Sequence, residues 1–259
     1  MFGAIIGDLA GSIYEYSQIK KSKPKIEVDK IIEENAFYSD DTILTIAIID
    51  AILTKSDYKD KLKEYGKRFL DYKPNFSPYF PTIFSPGFTN WLKGDFVGES
   101  NGNGAMMRVS PIGYLFDSEE EVIKNAYLAT IPSHNCLGAI EAATKVALVI
   151  FYARKGLSKE EVKEKLNIKY IKPELKKFNY TCDETVDVCF YSLFNSNGFE
   201  DAIRLVISFG GDTDTNACIV GSMAEAFYGV DMKLKKQALS KLPSNFVKIL
   251  KKVKVNKLK

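Results

Sequence analysis

Residues 3–13 read GAIIGDLAGSI, and the glycines at 3, 7 and 11 fall four apart. Four residues are just over one helical turn, so on a helix all three lie on nearly one face. Glycine inside a helix costs stability, and a stripe of it calls for a neighbouring helix packed closer than side chains allow. Next comes TILTIAIIDAIL at 42–53. Its length and the interior Ala47 and Ala51 favour a buried helix, while its isoleucines leave a strand open. An amphipathic helix is expected at 59–69. Further helices are expected at 118–129, 136–155, 158–166, 183–195, 199–207 and 215–228. No β-α alternation, hairpin signal or internal repeat interrupts them, so the expectation is an all-α fold.

Three segments break this rhythm. Residues 72–96 interleave Pro74, Pro78, Pro81 and Pro86 with Tyr79, Phe80, Phe84, Phe88 and Trp91. Prolines at that density stop helices, which predicts a long loop with a short helix near Trp91. Its aromatics suit packing onto the body, and stacking on a purine is the sharper alternative. Residues 99–104, ESNGNG, form a Gly/Asn-rich turn. From Met232 onward there are ten lysines and no acid, which reads as a solvated helix face with a frayed end.

Composition bounds the function. The chain has 259 residues, 46% hydrophobic and 27% charged, enough for one sizeable core. A net charge of +3 gives no argument for nucleic acid. Cys136, Cys182, Cys189 and Cys218 lack CxxC spacing, so free thiols are expected rather than a zinc site. His134 is the one histidine, which excludes sites built from two. The apolar stretch 137–152 is broken by Glu141 and Lys145, and the first fifteen residues lack a basic leader. A cytoplasmic protein is the expectation.

Two clusters could carry chemistry: Ser39-Asp40-Asp41-Thr42 and Gly210-Gly211-Asp212-Thr213-Asp214-Thr215. Each precedes an apolar helical run, where Ser, Thr and Asp are ordinary N-caps. Together they spend four carboxylates on two helix starts, although one acceptor suffices for each cap. Four acids converge only with cations between them. Carboxylate and hydroxyl oxygens suit Mg²⁺ or Mn²⁺, and Ca²⁺ less well. The glycine pair would let the backbone turn sharply enough to aim Asp212 and Asp214 one way. Glu15 and His134 become candidates by their company, and SNGNG as a turn whose N–H groups suit phosphate.

These segments in order, GAIIGDLAGSIYE, YSDDT, SNGNGAMMR, SHNCLGAIEAA and ISFGGDTDTNACIVGSMAEAFYG, resemble the ADP-ribosylglycohydrolases. The resemblance runs from residue 3 to residue 229 and rests chiefly on SDDT and GGDTDT together. It implies a single domain over residues 1–259, an orthogonal helical bundle, with a lysine-rich tail from about 232. It implies two Mg²⁺ or Mn²⁺ ions held by Ser39, Asp40, Asp41, Asp212, Asp214 and Thr215. Glu15 and Asp212 are the implied catalytic acids, candidates to take a proton from water. Ser100, Gly102, Asn103 and Gly104 match a loop around the diphosphate, and His134 a ribose contact. Asp8 is expected to be structural. The implied reaction cleaves the bond at C1 of the distal ribose, from an ADP-ribosylated protein or a small molecule carrying ADP-ribose. ADP-ribosyl-arginine ranks first, serine or O-acyl linkages second, and a nucleic-acid adduct last. Ser100 stands where some arginine-directed members place an acid, which weakens the choice of leaving group. The resemblance also implies a monomer away from membranes.

Three rivals remain in view. One is an ADP-ribose reader without catalysis. Another is a phosphatase using Asp212-Thr213-Asp214-Thr215, whose surroundings lack the α/β pattern that motif needs. The last is a helical protein in which the acids only cap.

Overall fold

Helix α1 (Phe2–Gly11) lies along α12 (Thr213–Tyr228), and the two backbones nearly touch. A Cβ added at Gly3, Gly7 or Gly11 would overlap the carbonyl of Gly221, Ala217 or Thr213 respectively. The partners descend in fours as the glycines ascend, so the helices run antiparallel with small residues in register. One end of this seam is tied by the Thr213 hydroxyl, which donates to the Gly11 carbonyl at 2.8 Å. At the other end Glu225 accepts from the Gly3 N–H at 2.7 Å and from the N-terminal ammonium.

The structure is a computed structural model that describes residues 1–15, 28–74, 83–174 and 178–256. Around the seam stand α2 (Asp40–Thr54), α3 (Tyr58–Arg68), α4 (Pro86–Lys93), α5 (Gly104–Met107) and α6 (Ser110–Leu115). They continue with α7 (Glu119–Thr130), α8 (Leu137–Arg154), α9 (Lys159–Lys165), α10 (Cys182–Phe194) and α11 (Phe199–Ser208). Helices α13 (Met232–Lys241) and α14 (Ser244–Asn256) close the chain. Among the described residues there is no strand, only two isolated bridges, Glu99 with His134 and Gly102 with Thr181.

Helix α12 is buried from Thr213 through Ala224 and packs against α1, α8, α10 and α11. Helix α2 resolves the 42–53 ambiguity: it is a helix buried on nearly every side, which explains why its apolar pattern lacks a face. Residues 75–82, with Pro78, Tyr79, Phe80 and Pro81, lie outside the described residues. Phe84, Phe88 and Trp91 pack into the body, with ring centroids 5.2 and 5.3 Å apart along the series. The four cysteines are free, three of them buried. No helix among the described residues is long and apolar enough to cross a membrane.

The lysine-rich tail presents the solvated helix face expected of it and adds a buried apolar side. It forms α13 and α14, and Leu234, Ala238, Leu242, Phe246, Leu250 and Val253 are buried. Phe246 sits 5.3 Å from Phe69 and 5.8 Å from Tyr38, centroid to centroid. The apolar residues recur at three- to four-residue spacing beneath the lysines, so the charge run is one face of a packed helix pair. Residues 257–259 lie outside the described residues.

Gly7→Ala forces a Cβ into backbone that cannot yield, and should cost about 2–4 kcal/mol in denaturant unfolding. Gly87→Ala, where a Cβ meets nothing within 4 Å, should change stability by less than about 1 kcal/mol. Equal effects at the two sites would dissolve the seam argument.

Candidate active site

The acids gather where three chain segments end beside one another. Glu15 follows α1 by one turn, Asp40 and Asp41 open α2, and Asp212 and Asp214 open α12. Gly210 and Gly211 take φ of 76° and 77°, consecutive left-handed residues that turn the chain sharply into α12. The aiming role expected of that glycine pair is therefore visible in the backbone.

Carboxylate oxygens of Asp8, Asp41 and Asp214 lie within 4.8 Å of one another, and so do those of Glu15, Asp212 and Asp214. Asp214 belongs to both groups. Burial is the largest force on these carboxyls, and neighbouring carboxylates add to it. Together they push Glu15, Asp40, Asp41 and Asp212 well above the usual carboxylate range.

Each carboxylate has its own partners. Asp8 accepts from the Ser39 N–H at 2.9 Å, the Ser39 hydroxyl at 2.8 Å, the Thr42 N–H at 3.1 Å and the Thr42 hydroxyl. Three donors of its own and a share of the Ser39 hydroxyl proton occupy most of its lone pairs, so Asp8 pins the start of α2 and has little capacity left. That fits the structural role expected of it. Burial and then Asp214 still raise it to about 7, against the pull of those donors.

Asp41 is different. Its Oδ2 accepts from the Thr215 hydroxyl at 3.1 Å and lies 3.0 Å from the Ser39 hydroxyl, whose single proton it shares with Asp8. Its Oδ1 is buried and meets no hydrogen-bond donor among the described residues. An orphaned anionic oxygen in the interior is costly, and a hard cation is the partner its chemistry suits. Ser39 also caps α2, accepting from the Asp41 N–H at 3.2 Å. Asp214 accepts from the Thr215 N–H at 2.9 Å.

The 99–104 turn lies against this cluster. Asn103 donates from Nδ2 to Asp212 at 2.7 Å, so its side chain ties the turn to the acids. The turn's N–H groups are partly spent. Ser100 donates to the Ser133 carbonyl, Gly102 to the Ser100 hydroxyl, and Asn103 to the Tyr180 carbonyl. His134 is buried, and its Nε2 faces the turn: a Cβ on Gly104 or Gly102 would lie 3.5 or 3.6 Å from it. Glu15, Ser39, Asp41, Asp212, Asp214 and Thr215 therefore meet in the acidic cluster, Asp40 lies beside it but in neither three-carboxylate group, and Ser100, Gly102, Asn103, Gly104 and His134 lie along the turn.

Two residues of this region had no role in the sequence reading. Asn179 is buried, and its Oδ1 accepts from the Asp212 N–H at 3.0 Å. Its amide also meets Thr185 and Asn216, so it fixes the turn into α12. Arg108, in the GAMMR stretch, is 1% exposed and reaches the Ser133 side chain. A lone Asn in a loop carries no periodic or spacing signal. An arginine after two methionines could have been flagged only as a charge in an apolar run.

Comparison with known proteins bears on the family and the fold. The family model described as ADP-ribosylglycohydrolase matches residues 1–254. ADP-ribosylhydrolase ARH3 of Homo sapiens is 25% identical, covering 88% of this chain and 84% of that protein. The mouse protein of the same name is 24% identical, covering 88% and 82%. Both alignments run over 312 positions, more than this chain contains, so those relatives carry insertions relative to it. ADP-ribosylarginine hydrolase Tri1 of Pseudomonas putida is 22% identical, covering 89% and 70%. A solved structure titled ADP-ribosylglycohydrolase-related protein complex superposes with a TM-score of 0.67 at 19% identity, covering 96% of this chain and 89% of that one.

The raised carboxyls set a pH test. An acid whose folded pKa exceeds its unfolded value destabilises the fold above the unfolded value, fully so past the folded one. The penalty should therefore develop from about pH 4 through about 7, the value reached by Asp8. Protons and divalent cations compete for the same oxygens. The rise in melting temperature on replacing EDTA with Mg²⁺ or Mn²⁺ should thus be small near pH 5 and large near pH 8. Asp214→Asn should raise the melting temperature in EDTA at pH 8. A cation effect that is absent, or equal at both pH values, would contradict the reading.

Proposed function

The chain belongs to the ADP-ribosylglycohydrolase family, and on that premise we propose that it is a metal-dependent hydrolase that frees ADP-ribose from modified targets. The observation that carries the metal part is Asp214 lying within 4.8 Å of Asp41 on one side and of Glu15 and Asp212 on the other, with Asp41 Oδ1 buried and unpartnered. Such an array suits two hard divalent cations and no soft one. Ser39, Asp40, Asp41, Asp212, Asp214 and Thr215 would hold them. When bound, two Mg²⁺ or Mn²⁺ ions supply positive charge at the ribose hydroxyls and make a nearby water more acidic.

The chain's own residues do the remainder. Glu15 sits with Asp212 and Asp214 and is half-buried, so its carboxyl is positioned to take a proton from the attacking water. Asp212 is the alternative base, with Asn103 holding one of its oxygens. The turn at Ser100, Gly102, Asn103 and Gly104 would cradle the diphosphate, and His134 would contact the ribose. Water adds at C1 of the distal ribose as the bond to the side-chain nitrogen or oxygen breaks. Positive charge grows on the ribose during cleavage, as in other glycosides. The carboxylates around it favour that charge.

The proposed substrate is an ADP-ribosyl-arginine, and a relative whose name specifies ADP-ribosylarginine supports that order. Serine and O-acyl linkages come second. All of this is proposed for one domain that includes the C-terminal helices.

The test is ADP-ribose release from arginine-, serine- and acyl-linked substrates with Mg²⁺, with Mn²⁺ and with EDTA. Release from the arginine linkage, abolished by EDTA, is expected. Asp214→Asn should lower it by a factor on the order of 10³ without loss of fold. Binding of ADP-ribose with no release from any linkage would make the chain a reader instead. Full turnover by Asp214→Asn would end the metal assignment.

A further inference from the structure

Arg108 stands beside the acidic cluster, where Asp40 partly offsets its charge, yet most of its N–H groups are turned away from any acceptor. It is 1% exposed, and its Nε and Nη1 have no hydrogen-bond partner among the described residues. Burying a guanidinium with two idle N–H positions is expensive. Burial pushes it down only to about 10, so it remains cationic at neutral pH. Its Nη2 donates to the Ala129 carbonyl at 3.3 Å and to the Ser133 hydroxyl at 2.8 Å. That hydroxyl lies 2.8 Å from Nδ1 of His134.

The donor and acceptor roles along this chain follow from chemistry. A guanidinium has no acceptor, so Ser133 Oγ accepts from Arg108. Among the described residues, the other hydrogen-bond partner of Ser133 Oγ is His134 Nδ1, so the hydroxyl proton points there. Nδ1 therefore accepts, and the imidazole proton sits on Nε2. A second proton on the ring would bring a cation into the dry surroundings of another cation. Burial first, and Arg108 second, hold the ring well below the usual histidine range. Nε2 is the atom that faces Gly102 and Gly104, whose missing side chains leave room before it.

We infer that Arg108 and Ser133 are positioning residues that fix His134 as a neutral imidazole with its Nε2–H aimed over the glycine turn. This inference rests on the proposed ADP-ribose reading for what His134 meets there: an acceptor oxygen of the ribose or the adjoining diphosphate. A neutral Nε2–H is a hydrogen-bond donor and a poor acid. His134 thus holds the ligand's oxygen, and protonation of the leaving group falls to another group. The guanidinium adds to burial in denying the ring its second proton, and it fixes the direction of the Ser133 hydroxyl that holds Nδ1.

His134 is the chain's one histidine, so imidazole ¹⁵N labelling gives a single pair of ring signals. At neutral pH the wild-type protein should show Nδ1 bare and Nε2 protonated. The opposite tautomer, or a doubly protonated ring, would overturn the inference whatever the enzyme assays give. Ser133→Ala should yield a mixture of tautomers and lower kcat/KM for ADP-ribose release roughly ten- to a hundredfold. Ser133→Thr keeps the hydroxyl and should restore the wild-type signature. A Ser133→Ala protein that folds and keeps the pure Nε2–H tautomer would also overturn it. The tautomer is read without substrate, so a failure of the proposed reaction and a failure of this relay are separate results.

Discussion

The glycine contact between α1 and α12 sets the distance on which the site depends. Backbone packed against backbone brings Asp8 and Glu15 on one chain segment up to Asp214 and Asp212 on the other. A larger residue at Gly7 or Gly11 would separate these helices and with them the carboxylates. The helix-interior glycines each cost up to about 1 kcal/mol in propensity, a cost the close packing offsets. Thr213 marks where seam and site meet: its hydroxyl ties α12 to Gly11, and its neighbours on either side are Asp212 and Asp214.

Folding assembles the acids against their own repulsion. Ser39, Thr42, Asn103 and Thr215 donate to the carboxylates and recover part of the desolvation cost. Their work is uneven. Asp8 is rich in donors and acts as a buried cap for α2, while Asp41 keeps one oxygen idle. That inequality separates a carboxylate serving the fold from carboxylates available to a ligand.

A second polar layer lies behind the first. Asn179, Asn216 and Thr185 link the turn into α12 with Asn103, so one amide network holds both the glycine turn and Asp212. Arg108 and Ser133 stand behind His134 in the same way. Residues that touch a ligand are held in one geometry by buried residues that do not, which limits how much side-chain motion binding must arrest.

The sequence by itself determined the helical class, the small-residue face of α1, and the clusters at 39–42 and 210–215. Each rests on local spacing, which the chain carries whatever its tertiary structure. It also held the lysine face of the tail, with an apolar residue every three or four positions beneath it. Tertiary structure alone decided that 42–53 is a helix and not a strand, that Asp8 is rich in donors while Asp41 Oδ1 has none, and that Asn179 and Arg108 stand behind the site. Those facts depend on which groups meet across more than twenty residues of chain, as Arg108 meets Ser133 and Asn179 meets Asp212. No periodicity records such meetings, because hydrogen-bond partners are selected by packing and not by sequence separation.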